Sequence, residues 1–312
     1  GRPGSTNLGR TAQALESYRK SEAIREAIRL QSKKAPEFIR ASDNLARSYG
    51  RISAALRAVG DSEGSLGYER KALGIRQVLF EGDPDNVLFK RALATSLTSL
   101  SGSLSQMGDF AGVLETRREA LKMYEEIVAR NPDSTPDLRG LALALARMGS
   151  ITLHEGQLVE SLKHYKRALD IDTRIYLTDP ANVQYQLSKG WAHNNFGLIL
   201  KRLSRHGDAL EQFETARPYF ERVAKADARD VRSRTLLETN RIRTAQTLLA
   251  LGKPREALAL AETALKDREE LAIQNRSNAG AQGEVAEAHL AVGQIFAAMN
   301  KPTKAREHYH IA

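Results

Sequence analysis

The segment GSITLHEGQLVESLKHYKRA, Gly149 to Ala168, carries the period of the whole chain. The sequence 48 residues on reads GLILKRLSRHGDALEQFETA, Gly197 to Ala216, and the same step again gives AQTLLALGKPREALALAETA, Ala245 to Ala264. Each copy opens on a small residue, passes a turn residue (Gly156, Ser204, Gly252) and closes on alanine. A fixed period of this length marks a repeat architecture and outranks any local reading.

The same step links Ala72, Ala120, Ala168, Ala216, Ala264 and Ala312. Ahead of these alanines stand Gly60, Gly108, Gly156, Ser204, Gly252 and Asn300, mostly residues that tolerate a left-handed, helix-ending backbone. Ser53, Ser101, Gly149, Gly197, Ala245 and Gly293 form another small column, placed where one helix should cross the next. Leu45, Ile52 and Leu56 and their counterparts make one helix face before the turn, and Leu66, Leu73 and Leu79 and theirs make one after it. The pattern predicts antiparallel helix pairs, each burying one face internally and the other on its neighbour.

Ala35-Pro36, Asp83-Pro84, Asn131-Pro132 and Asp179-Pro180 punctuate the units. Asn86, Ser134, Asn182, Asp230 and Asn278 follow as helix caps, and proline suits a first turn. The expected organisation is an amino-terminal linker and capping helix in 1–35, the helix itself near Thr11–Lys34. An array over 36–312, continuous with it, holds five full units and a truncated sixth. The class is all-α, a right-handed superhelical solenoid of helix pairs about 20 residues, roughly 30 Å, per helix.

Composition agrees: nine prolines and 22 glycines are too few for a turn-dense sheet protein, and good helix formers dominate. The absence of cysteine removes disulfides, thiolate metal sites and a thiol nucleophile, and suits a cytoplasmic location. No run of 18 apolar residues suggests a membrane partner. The start at Gly1 without Met, and a pattern still running at Ala312, read as a piece of something longer. A cut last hairpin would then expose Ile295, Phe296 and Met299.

The net charge of +9 raises nucleic acid or another polyanion as an alternative partner. The basic residues alternate with Glu and Asp, however, as on solvated helix faces. No phosphate loop, nucleophile elbow or His-Glu-x-x-His helix is present, so no catalytic residue, cofactor site or metal site is expected. His308 and His310 point apart on a helix; His193 and His289 read as packing residues, and His154, His164 and His206 as surface residues.

The small residue, the apolar residue and the alanine resemble the tetratricopeptide repeat (TPR). Gly149, Thr152, Ser161, Tyr165 and Ala168 fall on its signature sites in one unit, and Gly197, Leu200, Ala209, Phe213 and Ala216 in the next. Thr152 departs from the large residue the family places there, and the period exceeds the family's 34. The resemblance implies a protein-interaction scaffold whose first helices line a concave groove. It places Arg51, Arg147, Asn195 and Arg243 in one groove column, with Trp191, Asn194 and Arg202 nearby. Arginine suits carboxylates and an asparagine amide can hold an extended backbone, so an acidic or extended peptide or protein segment is the expected partner. In the family's peptide-terminus clamp only Asn195 and Arg243 match, with Ala146, Ser150 and Thr239 in the other places.

Asn7-Leu8-Gly9 followed by Ala14 to Lys20 and Ala23-Ile24 is similar to the opening of the repeat region behind the catalytic domain of large bacterial serine/threonine protein kinases. This implies that the chain's own kinase domain is a further partner. The stretch itself carries no kinase element.

Overall fold

A computed structural model describes residues 8–31, 35–227, 230–274 and 279–312. Among them lie thirteen helices and no strand. They are α1 (Leu8–Gln31), α2 (Ala35–Ala58), α3 (Ser62–Gly82), α4 (Val87–Gln106), α5 (Phe110–Arg130), α6 (Thr135–His154) and α7 (Leu158–Thr178). Then follow α8 (Val183–Arg202), α9 (His206–Ala226), α10 (Val231–Ala250), α11 (Pro254–Gln274), α12 (Ala279–Ala298) and α13 (Pro302–Ile311). Asn7 and the cap expected at Asn278 lie outside the described residues. The chain forms two compact units, Gly1–Ile151 and Thr152–Ala312, divided within α6.

Two kinds of connection alternate along the sequence, each written in its residues. Inside a hairpin the turn column takes positive φ at all six positions, from +85° at Gly60 to +59° at Ser204 and +56° at Asn300. The next N–H then reaches back to the preceding helix: Asp61 to the Leu56 carbonyl at 3.0 Å, Arg205 to Leu200 at 2.9 Å, Lys301 to Phe296 at 2.9 Å. This is the Schellman pattern, which satisfies carbonyls that the helix end would otherwise strand. Asp61 and Asp109 also cap the helix that follows, accepting from Gly64 at 2.8 Å and Gly112 at 2.9 Å.

Between hairpins the chain makes a β-turn instead. The Asn86 N–H bonds to the Asp83 carbonyl and the Asn182 N–H to that of Asp179, both at 3.1 Å, with proline at the second turn position, where its fixed φ fits. Pro84, Pro132 and Pro180 therefore sit ahead of the helix rather than in its first turn; of the four punctuating prolines Pro36 alone lies inside one. The Asn86 side chain accepts from Leu88 at 3.1 Å, and Asn182 accepts from Gln184 at 3.0 Å.

In the first unit Leu45, Ala46, Tyr49 and Ala72 form one core cluster, and Leu93, Leu97 and Ala120 another. Opposite the small column the second helices present Glu69 and Arg117, both buried. Glu69 accepts from Ser53 at 2.6 Å and from Arg57 at 3.1 Å. Burial pushes the Glu69 carboxyl up, against the opposing pull of Ser53 and Arg57. Arg117 donates to the Arg147 carbonyl at 2.7 Å.

In the second unit α7, α9 and α13 put an aromatic residue in the equivalent place, Tyr165, Phe213 and Tyr309, and α11 puts the buried Ala261 there; Phe213 packs over Gly197, where a Cβ would meet its ring at 2.8 Å. Phe213 and Phe220 are fully buried, each contributing about 1.5–3 kcal/mol. Ala168, Ala216 and Ala264 are buried, as are Ala72 and Ala120 in the first unit, whereas Ala312 ends the chain exposed.

Successive first helices do not meet in register. Arg57 on α2 bonds Ser103 on α4, Arg91 on α4 bonds Asp137 on α6, and Asn240 on α10 bonds Asn194 on α8, each 46 residues apart. Lys201 on α8 reaches Gln246 on α10 at a separation of 45. The neighbours therefore slip by two to three residues against the 48-residue period, roughly 3–4.5 Å along the axis.

Two expectations are corrected here. Ile295 and Phe296 are buried rather than exposed, and Met299 is partly buried, because the ten-residue α13 folds back over α12. His308 packs against the Phe296 ring at 5.6 Å and Lys304 lies 5.3 Å from it. The residues left uncovered at this end are Leu290, Tyr309 and Ile311. His164, expected at the surface, is buried beside Glu160 at 3.7 Å.

Candidate functional site

The first helices supply the residues singled out from the sequence, and these fall in both compact units. In the first, Arg51 on α2 is exposed. Arg147 on α6 is partly buried, its Nε enclosed without a hydrogen-bond partner. Burial and the neighbouring charge of Arg57 both push the Arg147 guanidinium down.

In the second unit α8 and α10 lie side by side. Positions three, four, seven and eleven apart share a helix face, which puts Trp191, Asn194, Asn195 and Arg202 on one side of α8. Trp191 is partly buried and Arg202 exposed. Across the seam the Arg243 Nη1 approaches the Asn194 carbonyl at 3.5 Å, and Lys201 donates to the Gln246 amide oxygen at 2.5 Å.

Asn194 does not present its side chain to a ligand. It is buried, and its amide oxygen accepts from Asn240, which also donates to the Phe213 carbonyl at 3.0 Å. The pair locks α8 to α10 and to the hairpin partner α9. Asn195 is different: it is 7% exposed, and its Nδ2 is enclosed with no acceptor among the described residues. A buried amide donor left unpaired costs about 1–3 kcal/mol, which an incoming carbonyl would relieve.

Lys201 escaped the sequence reading, since a single lysine on a helix with many charges gives no signal. Burial pushes its ammonium down to about 8, and the positive charges of Arg243 and Arg202 push in the same direction. Glu287 opposes this shift, but it is exposed and bonded to Arg268 at 2.9 Å. Three cations thus gather along the α8–α10 seam, two of them, Lys201 and Arg243, within the influence of the Glu287 carboxylate. The seam can attract negative charge; among the described residues no group of three or more His, Cys, Asp or Glu assembles that could hold a metal.

His193, also on α8, bonds Gln212 at 2.9 Å, and burial pushes its ring down, as befits a packing histidine. His289 is buried in the equivalent packing position, and its Nδ1 lies 2.9 Å from that of His308. Among the described residues no helix is long and apolar enough to cross a membrane.

No family model matches the chain and no curated protein matches it in sequence. Solved structures do match in fold. The apo form of RapI superposes over 96% of both chains with a TM-score of 0.60 at 12% identity. A Rap protein complexed with competence and sporulation factor covers 97% of this chain and 74% of its own, with a TM-score of 0.57 at 15% identity. BtubC from P. vanneervenii covers 80% and 88%, with a TM-score of 0.57 at 17% identity.

Proposed function

From a chain that folds as a TPR-like array of helical hairpins, we infer a protein-interaction scaffold without catalytic chemistry of its own, binding an acidic or extended peptide segment along the α8–α10 seam. The carrying observation is the gathering of Lys201, Arg202 and Arg243 along one seam, with the unpaired amide nitrogen of Asn195 on the same helix as Lys201. Cations attract carboxylates over a distance, and the amide then selects an extended backbone by pairing with its carbonyl. A structural neighbour of similar fold is seen in complex with a factor, which supports partner capture by an array of this kind.

Selection of a random peptide library on the full chain tests the reading. Enriched peptides should be acidic and bind at least about tenfold more weakly to Lys201→Gln combined with Asn195→Ala. No enrichment, or peptides indifferent to both changes and to Arg243→Gln, would sink the seam as a binding site.

A further inference from the structure

A second recessed surface lies wholly within the first unit, a cleft of about 870 Å³ between α2, α3 and α4. Its volume falls in the range of small-ligand and peptide pockets. It lies amino-terminal to the small residues Ser53 and Ser101, so it is built from the early turns of two successive first helices.

Four arginines line the cleft, and their partners divide them into two kinds. Arg91 is held bidentately by the buried Asp137, at 2.5 and 2.9 Å. Arg47 pairs with Asp43 at 2.8 Å. Arg40 and Arg76 have no carboxylate partner among the described residues. Arg40 is exposed. Arg76 is partly buried and is fixed to α4 by one nitrogen, which donates to the Ala92 carbonyl at 3.2 Å and the Ser96 hydroxyl at 2.6 Å. Its Nη2 makes no hydrogen bond among the described residues, and its Nε is enclosed without one.

Burial pushes the Arg76 guanidinium down, and the charges of Asp43 and Glu69 counter this without either carboxylate bonding it, so a ligand carboxylate would supply the direct partner that this half-buried group lacks. Asp43, paired with Arg47, and the polar Asn86 and Thr95 also line the cleft, and the remaining lining is apolar. Leu79 is buried at the base, Ile39 and Phe89 are partly buried, and Leu88 stands at the edge, 65% exposed. On both walls the apolar residues stand at the amino-terminal end, Ile39 on α2 and Leu88 and Phe89 on α4, with the charged Arg40, Asp43 and Arg47 and with Arg91 following, so no continuous apolar channel is left for a long acyl chain. A short apolar patch beside cationic positions fits a peptide that carries an apolar side chain next to a carboxylate.

We propose that this cleft is a separate peptide subsite, in which Arg76 and Arg40 receive a carboxylate while the adjacent apolar side chain packs on Ile39, Leu88 and Phe89. The proposal rests on the scaffold reading for its class of ligand, but not on the α8–α10 seam.

The test is selection of a random dodecapeptide library, displayed with free carboxyl termini, on the full chain, followed by fluorescence titration of the enriched peptides. Beside the peptides that depend on the seam, the expected set includes a second class that carries a carboxylate within about two residues of an apolar side chain and binds roughly tenfold or more weakly to Arg76→Gln and to Arg40→Glu, while Lys201→Gln leaves this class unchanged. Should Arg76→Gln fail to fold, Arg40→Glu and Leu88→Asp, both at exposed positions, decide the matter in its place. Loss on amidating the peptide terminus identifies a terminal carboxylate; loss only on Glu→Gln or Asp→Asn in the peptide identifies an acidic side chain. Peptides indifferent to the cleft variants but lost in Lys201→Gln would overturn this subsite and leave the scaffold standing. No enriched peptide at all would overturn both.

Discussion

Gly197 lies beneath the ring of Phe213, so close that a Cβ there would stand 2.8 Å from the ring and 3.2 Å from the Ala209 carbonyl. The two helices of this hairpin can approach only because one has no side chain at the crossing. Gly197→Ala should therefore destabilise the second unit by about 1–3 kcal/mol, even though alanine is the better helix former by about 1 kcal/mol. Urea unfolding followed by the fluorescence of Trp191, on the same helix, reads this directly; a gain in stability would contradict the crossing geometry.

The turn column gives an opposite prediction. Ser204 and Asn300 hold φ of +59° and +56°, where a side chain costs about 1–2 kcal/mol and glycine has no steric penalty. Allowing for the extra freedom of glycine in the unfolded chain, Ser204→Gly should stabilise by about 0.5–1 kcal/mol. Gly156→Ala, at φ +75°, should destabilise by about 1 kcal/mol. The melting temperatures of the two variants should move in opposite directions.

Glu238 is buried on α10, bonded to Arg241 at 3.0 Å, with Arg241 also bonded to Asp267 at 2.9 Å. Burial, with the adjacent Asp267, pushes the Glu238 carboxyl up to about 8, only partly countered by Arg241. A raised acid binds its proton in the folded chain while the unfolded chain has released it. Its contribution to stability is then complete below about 4.5 and declines as pH rises through about 8. Glu238→Gln should flatten this decline and be the more stable form at pH near 8; an unchanged pH profile would rule out the assignment.

His289 shows the reverse dependence. Burial and the neighbouring His308 hold its ring below the usual 6.5, with Glu269 at 3.6 Å from its Nε2 pulling the other way. The unfolded chain binds the proton more readily, so stability is present above about 6.5 and falls on acidification below it. Hydrogen exchange corrected for intrinsic rates should show α13 losing protection first as pH drops. Uniform protection of α13 and α12 down to pH about 5 would contradict a histidine contact at this joint.

Much of the hairpin plan could be read in the residues themselves. All six turn positions take positive φ, and five of the six alanines are buried, because both demands are local to a column and repeat with it. The proposed binding surfaces were less legible. A period shows which residues share a column, not which neighbour each faces, so Asn194 read as a groove residue although its amide is spent on Asn240. His308 looked isolated because its partner His289 sits on the other helix of the hairpin. Glu69 and Arg117 gave no warning that charge replaces an aromatic ring in the first unit, since either could have been solvated. The α2–α4 cleft escaped notice because its walls come from separate repeats.

The slip between successive first helices limits how the hairpins could be rearranged. Excising one 48-residue repeat, α4 with α5, would bring Ile151 to the position where Arg57 now finds the Ser103 hydroxyl. Excising α10 with α11 would set Ala288 where Asn194 now meets Asn240. Units whose cores look alike are therefore not interchangeable: within each compact unit these helices carry at their edges the polar half of a pair that the present neighbour completes, so such excisions would strand buried polar groups at the new joint.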